Sequence, residues 1–321
     1  MRFDVFNGDA DGICALHQLR LAEPAEATLV TGLKHEIALL ERVDAGPGDR
    51  VTVLDLSLDR NRAALLRLLE RGVHVRYFDH HHAGEVPLHP GLEATLDATG
   101  LSCTSELVDR FLGGRFRAWA VVAACGDNFH DSAARLAASL GLRPPQLESL
   151  RTLGENLNYN AYGMLPTDVL IAPVELYRIV SRYADPFELV EAEPLLARLG
   201  SQRLADLALA RGGPARRMSS GAEADVLPDA PWSRRVLGTF ANRRASEDPG
   251  RAHAVIAPLP GGGAYLASLR TPSGCAISAV DFCRRYPGGG GRATAAGVEG
   301  LDAAQVEAFL AALGVAYPRP A

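Results

Sequence analysis

The stretch Phe3-Asp4-Val5-Phe6-Asn7-Gly8-Asp9-Ala10-Asp11-Gly12 decides the fold, because a β-prone apolar run breaks directly into two carboxylates spaced two apart. The pattern recurs. Val51-Thr52-Val53-Leu54 runs into Asp55, and Val73-His74-Val75-Arg76-Tyr77-Phe78 runs into Asp79-His80-His81-His82. A further acid stands in Gly126-Asp127-Asn128. Segments with helical spacing lie between the runs. Residues 12–21 carry Leu16 and Leu19, and residues 59–71 repeat Leu65, Leu66, Leu68 and Leu69 behind Asp59, which reads as an N-cap. Strand, helix, strand at this spacing predicts right-handed βαβ units and a parallel sheet. Such a sheet presents its ligands at the carboxyl ends of its strands. Asp9, Asp11, Asp55 and Asp127, gathered with His80 in one crevice, repel one another unless cations sit between them.

Each acid suits a role at such a centre. Asp9 and Asp11 point the same way if extended, and on a turn both reach a cation. Asp55, at a strand end, is placed to bridge two metals, His80 offers an imidazole nitrogen, and Asp127 closes the set. Asp79 reads as the group that orients His80 rather than as a ligand. Oxygen-rich ligation with an imidazole suits manganese or magnesium better than a cysteine-based zinc site. Two such ions ~3.5–4 Å apart lower the pKa of a bridging water and polarise a phosphoryl oxygen.

With 321 residues the chain is long enough for two domains, each burying its own core. A net charge of −5 leaves no basic footprint for a stable duplex nucleic-acid partner, whereas a small anionic substrate remains compatible. Lys34 is the only lysine, so phosphate contacts are expected to be mostly guanidinium ones. Five cysteines without paired spacing point to a reducing compartment. No run of 18 apolar residues is present and the first residues enter a strand, so a cytoplasmic protein with no membrane partner is expected. A homodimer is compatible with all of this.

Composition changes twice along the chain. From about 131 to 210, helical periodicity takes over, at 131–140, 146–153, 174–183 and 194–211. Residues 211–231, with Gly212, Gly213, Pro214, Ser219, Ser220, Gly221, Pro228 and Pro231, read as a linker. Beyond it, 233–240, 252–258 and 264–269 read as strands, and 276–286 and 302–313 as helices. The expected fold is α/β: a parallel-sheet catalytic domain with a helical extension (1–190), a helical connector and linker (191–231), and a smaller α/β substrate-binding domain (232–321).

On these residues the chain resembles the DHH phosphoesterase family, which includes nano-RNase and RecJ-like exonuclease relatives. Its members carry an Asp-x-Asp motif after the first strand, a lone Asp after a later one, an Asp-His-His signature and a further Asp. Here these are Asp9-Ala10-Asp11, Asp55, Asp79-His80-His81 and Asp127. The family's C-terminal domain, of the DHHA1 type, has a Ser-x-Arg segment and a Gly-Gly-Gly-His motif ending in Ala-Ala-Gly. Ser268-Leu269-Arg270 and Gly289-Gly290-Gly291-Arg292-Ala293-Thr294-Ala295-Ala296-Gly297 are similar to them. The resemblance implies that Asp9, Asp11, Asp55, His80 and Asp127 hold two manganese ions per chain, with magnesium as the alternative. It implies that His81 contacts the scissile phosphate and helps protonate the leaving oxygen. It further implies that Arg270, the Gly289–Gly291 backbone and Arg292 bind the rest of an anionic substrate. Main-chain N–H groups of consecutive glycines approach phosphate closely, and an Ala-rich, potentially helical stretch behind them adds to an anion site.

Three positions depart from the family. Val5 stands where many members place a metal-binding His, and Asn7 where RecJ-type exonucleases have the first Asp of Asp-x-Asp-x-Asp. One metal is therefore expected to bind less tightly than in relatives. Arg292 replaces the usual His and cannot accept a proton, which implies a changed substrate preference rather than lost hydrolysis. The expected activity is manganese-dependent hydrolysis, by metal-activated water, of phosphodiester or phosphomonoester bonds in short oligonucleotides, dinucleotides or small nucleotides. A pyrophosphate or polyphosphate hydrolase and a catalytically weak nucleotide-binding protein are the alternatives.

Weaker features carry two readings each. Thr104 and Ser105 read as helix caps or as a phosphate contact, and the polar, aromatic segment 156–163 as a cleft lining or a packed turn. His82 and His130 read as surface or supporting groups, Cys14 and Cys125 as small packed residues, and Arg284-Arg285 as a solvated helix face.

Overall fold

Five of the six residues of the first strand, β1 (Arg2–Asn7), are buried, the mark of a strand covered on both faces. The computed structural model describes residues 1–97, 99–213, 216–217 and 221–318. They form two compact units, one of residues 1–161 with 170–200, the other of 162–169 with 201–321.

In the first unit β1 is followed by α1 (Ala10–Ala22), β2 (Thr28–Gly32), β3 (Arg50–Leu54), α2 (Leu58–Glu70), β4 (His74–Asp79) and β5 (Leu92–Leu96). The five strands make one parallel sheet in the order β2-β1-β3-β4-β5. From β1 the chain moves first to one side and then, through β3, to the other. That reversal opens a crevice beyond the carboxyl ends of β1 and β3, where ligands of doubly wound sheets bind. One face is covered by a core containing Phe6, Ile13, Leu16, Phe78 and Trp119, the other by Val5, Val51, Val53, Leu65 and Tyr77. Ser57, not Asp59, caps α2, its Oγ accepting from Arg60 N at 3.4 Å.

Helices α3 (Thr104–Phe111), α4 (Arg117–Gly126), α5 (His130–Ser139), α6 (Pro144–Ala161), α7 (Pro173–Val180), α8 (Pro186–Ala192) and α9 (Pro194–Gly212) follow. Gly154 of α6 lies where a Cβ would meet Val122 O at 2.1 Å, so α4 and α6 pack backbone to backbone. Among the described residues no helix is long and apolar enough to cross a membrane.

The second unit contains β6 (Arg216–Arg217), β7 (Ala222–Val226), α10 (Pro231–Glu247), β8 (Ala252–Pro258), β9 (Ala264–Arg270), α11 (Ala279–Cys283), β10 (Gly289–Gly291), β11 (Ala295–Asp302) and α12 (Val306–Ala316). Its six-stranded sheet runs β10-β11-β9-β8-β7-β6, with β7 and β8 parallel around α10 and the other pairs antiparallel.

The structure departs from several expectations. Residues 233–240, expected as a strand, belong to α10, whose Ser233, Val236, Leu237, Phe240 and Ala241 are buried at helical spacing behind Pro231 at its first turn. Residues 222–226, expected as linker, form β7, while Pro214, Ser219 and Ser220 lie outside the described residues. The helix expected at 276–286 shortens to Ala279–Cys283, and that at 302–313 begins only at Val306. The Ala-rich stretch behind the glycines is the start of β11 rather than a helix, so no helix N-terminus stands there to hold an anion.

Candidate metal centre

Asp9 is the N-cap of α1, its Oδ1 accepting from Asp11 N at 3.0 Å and Gly12 N at 3.1 Å. A Cβ at residue 12 would meet Asn7 O at 2.2 Å, so only glycine lets the helix begin this close to β1. The next acid, Asp11, is fully buried and gripped by α3. Its Oδ2 accepts from Thr104 N and its Oδ1 from Ser105 N, each at 2.7 Å, where the helix N-terminus favours negative charge.

Asp55 follows β3 in the left-handed region, φ +60°, a conformation costing a non-glycine residue roughly 1–2 kcal/mol. Its N–H still reaches Phe78 O at 3.0 Å, and Thr104 Oγ1 donates to its Oδ1 at 3.3 Å. Asp127 is the C-cap of α4, where the helix already carries partial negative charge. His80, leaving β4, projects among these acids. Its Nε2 lies 3.4 Å from Asp55 Oδ1, 3.8 Å from Asp127 Oδ2 and 3.9 Å from Asp11 Oδ2.

Like charges make this centre costly as it stands. The Asp11 carboxyl is pushed up to about 6, first by burial and then by Asp127 and Asp9, against the opposing pull of His80 and the Ser105 amide. Burial, reinforced by Asp11 and Asp9, holds Asp55 well above the usual carboxylate range. A divalent cation reverses both penalties. Ligand atoms within 4.8 Å of one another come from Asp11, His80 and Asp127, and again from Asp55, His80 and His81. Groups each ~2.1 Å from a common ion fall at such spacing, and carboxylate oxygens with one imidazole fit manganese or magnesium.

Asp9 stands in neither group. Its Oδ2 instead pairs with the ammonium of Lys34, which also donates to Asp127 Oδ1 at 2.9 Å. The sequence reading missed Lys34, and it also missed the Thr104 and Ser105 amides. The one available signal was that Lys34 is the chain's single lysine.

The partner of Asp79 is corrected. Its Oδ1 lies 2.7 Å from His81 Nδ1, not against His80, and its Oδ2 accepts from Leu58 N at 3.3 Å. For His81 burial opposes protonation, but the Asp79 bond and the nearby Asp55 outweigh it and raise the pKa. Segment 156–163 divides. Asn160 closes a turn, with Nδ2 on Ile171 O and Oδ1 accepting from Leu170 N and Ile171 N, whereas Asn158 Oδ1 accepts from Lys34 Nζ at 3.4 Å. Ser105 Oγ accepts from Gln18 Nε2, Cys14 and Cys125 lie in the apolar core, and His82 and His130 are exposed.

In the second unit, Arg270 is held by Ser268 Oγ and Leu269 O at 3.0 Å and Asn242 Oδ1 at 2.5 Å. Burial depresses its pKa, Tyr162 opposes that, and the nearby Arg292 adds to it. No carboxylate pairs with Arg270 among the described residues, so this guanidinium lacks a counter-charge. Gly289, Gly290 and Gly291 form β10 instead of an open loop. Gly289 is required by packing, since a Cβ would meet Cys283 O at 1.9 Å, whereas Gly290 faces open space.

No protein-family model matches the chain, and no curated protein does. Solved structures do. A RecJ exonuclease bound to manganese is 20% identical with a TM-score of 0.61, over 98% of this chain and 89% of its own. RecJ from Thermus thermophilus in complex with Mn2+ is 20% identical with a TM-score of 0.66, over 99% of this chain, which spans only 53% of the Thermus one. The pGpG-specific phosphodiesterase PggH from Vibrio cholerae is 12% identical with a TM-score of 0.55, over 98% and 97%. At these identities the likeness is one of fold.

Proposed function

We propose that this chain, which has the fold of the DHH-family phosphoesterases, is a manganese-dependent phosphoesterase acting on short oligonucleotides, dinucleotides or small nucleotides. The observation that carries this reading is the convergence of Asp11, Asp55, His80 and Asp127 at the switch point of the sheet, with Asp11 and Asp55 raised by their shared burial. These four would hold the ion. When bound, the ion supplies Lewis acidity toward a phosphoryl oxygen and toward water.

The protein's own groups do the rest. Asp79 engages Nδ1 of His81, leaving Nε2 for a phosphoryl or leaving oxygen, and the Asp79 bond raises the proton affinity of the ring. The α3 amides hold Asp11 in place. In the second unit Arg270, Arg292 and the open backbone at Gly290 are assigned to an anionic group of a nucleotide. Residues 1–190 are proposed as catalytic and 232–321 as substrate-binding.

A hydrolysis screen with manganese over dinucleotides, short RNA and DNA, nucleoside bisphosphates and pyrophosphate tests the reading. Release of nucleoside monophosphates is expected. Turnover of pyrophosphate alone would replace the substrate class, and no turnover of any of them would sink the enzyme reading.

A further inference from the structure

We infer that Lys34 supplies the second positive charge of the acidic centre, so that this chain binds one divalent ion there rather than two. The inference rests on the metal-centre reading above and specifies its stoichiometry.

Lys34 is built into place. Its backbone N–H donates to Ala161 O at 3.2 Å, and its carbonyl accepts from Asn7 Nδ2 at 3.5 Å. Its ammonium has three N–H donors, and three acceptors from three segments meet them: Asp9 Oδ2, Asp127 Oδ1 and Asn158 Oδ1. The Asp9 carboxylate is thereby shared between an amide cap on Oδ1 and an ammonium on Oδ2. An ion ligated by Asp9 would have to displace Lys34 or sit against it, cation to cation.

The surroundings agree. On β1, Val5 is fully buried hydrocarbon and Asn7 is neutral, so neither adds a carboxylate or an imidazole on the Asp9 side. The donors that suit a divalent ion form two groups, one of Asp11, His80 and Asp127 and one of Asp55, His80 and His81, which share the one His80 and leave Asp9 out. Residue type adds a separate argument. Of the 33 lysines and arginines only one is lysine, and it stands here. An ammonium is a compact point charge that takes the place of an ion among oxygens, whereas a planar guanidinium is too broad. Lys34 neutralises Asp9 and ties it to Asp127, while the single ion serves the His80 side.

The test counts ions. The purified full chain is titrated with Mn2+ by calorimetry, bound manganese is measured by mass spectrometry, and electron paramagnetic resonance reports whether two manganese spins are coupled. The wild type is expected to bind one ion per chain without a coupled signal. Lys34→Met and Lys34→Gln are expected to bind two and to show the coupled signal, and Asp9→Asn to keep one. Circular dichroism checks that the variants fold, and if the lysine variants do not, the wild-type and Asp9→Asn counts still decide. Two ions in the wild type, a single ion in both folded lysine variants, or loss of the ion in Asp9→Asn would overturn the role of Lys34 alone. No ion in the wild type would overturn the metal centre and this inference together.

Discussion

In the second unit buried acids meet arginines. Asp168 receives Nε and Nη2 of Arg234 at 2.9 Å each, Asp225 is forked by Arg244 at 2.9 and 2.7 Å, and Asp206 pairs with Arg235. Burial alone would raise Asp168, but Arg234 and the Met164 and Leu165 amides pull it below the ordinary carboxylate range. At the centre of the first unit three acids converge on one imidazole instead, and Asp11 and Asp55 shift the other way. The same unit does pair acids with arginine where it needs only structure, as in Asp4 with Arg20 and Asp109 with Arg117. Asp11 and Asp55 have no guanidinium partner among the described residues, and a mobile cation would answer their charge. Arginine pairs close an account of charge inside the protein, and the acidic centre leaves one open to solution.

The contrast breaks most visibly at the centre. Asp55→Ala or His80→Ala is expected to lower manganese-dependent hydrolysis by about 10³-fold or more. The metal-free melting temperature should hold or rise in Asp55→Ala, because a repelling buried charge has gone. Retention of most activity in both variants would remove the centre from the chemistry. In the second unit, removing one partner should act on stability. Arg234→Met strands Asp168, which is 1% exposed, and should cost about 3–5 kcal/mol in urea unfolding. The double variant Arg234→Met/Asp168→Leu should recover most of that. If the single variant is neutral, the pair is not what neutralises Asp168.

Acid sharpens the comparison. His17, 1% exposed, sits with Nε2 2.7 Å from Tyr183 O and its ring edge-on to Trp119. Burial lowers its pKa to about 4, more than the Tyr183 bond restores. A depressed histidine binds its proton later in the folded state than in the unfolded one. Stability should therefore be intact above about pH 6.5 and fall as pH drops toward 4, by up to about 3 kcal/mol. Denaturation of His17→Leu across that window should show a shallower slope, and an unchanged slope would clear His17 of the effect.

What the sequence disclosed and what it hid divide along physical lines. The strand-end placement of Asp9, Asp55 and His80 was legible because each follows a local apolar run, and such placement needs no tertiary information. The Asp79–His81 pair was also within reach, since residues two apart share a face of an extended chain. Lys34 was not. Its place depends on β2, the short strand Thr28–Gly32 that the reading passed over, and without β2 neither the sheet's switch point nor the segment beyond it can be located. Residues 233–240 misled because the adjacent Arg234 and Arg235 leave only a short β-prone apolar run, Val236-Leu237, and hide the helical stripe. Both side chains are buried on α10, an outcome set by Asp168 and Asp206, which lie 66 and 29 residues away in sequence.

The finest separation comes from two hydroxyls, each one bond from a charged group of interest. Thr104 Oγ1 donates to Asp55 at 3.3 Å, and Ser268 Oγ accepts from Arg270 at 3.0 Å. Thr104→Val removes a donor that orients a ligand of the ion, so manganese affinity should weaken by about tenfold while melting shifts little. Ser268→Ala loosens the guanidinium instead. It should raise KM for a nucleotide substrate by a few-fold, about 1 kcal/mol, with manganese affinity unchanged. Calorimetry with Mn2+ and steady-state kinetics on both variants check the two arms. If either substitution moved ion affinity and KM together, the division of labour between acidic centre and arginine site would fail, since each hydroxyl touches only one of them.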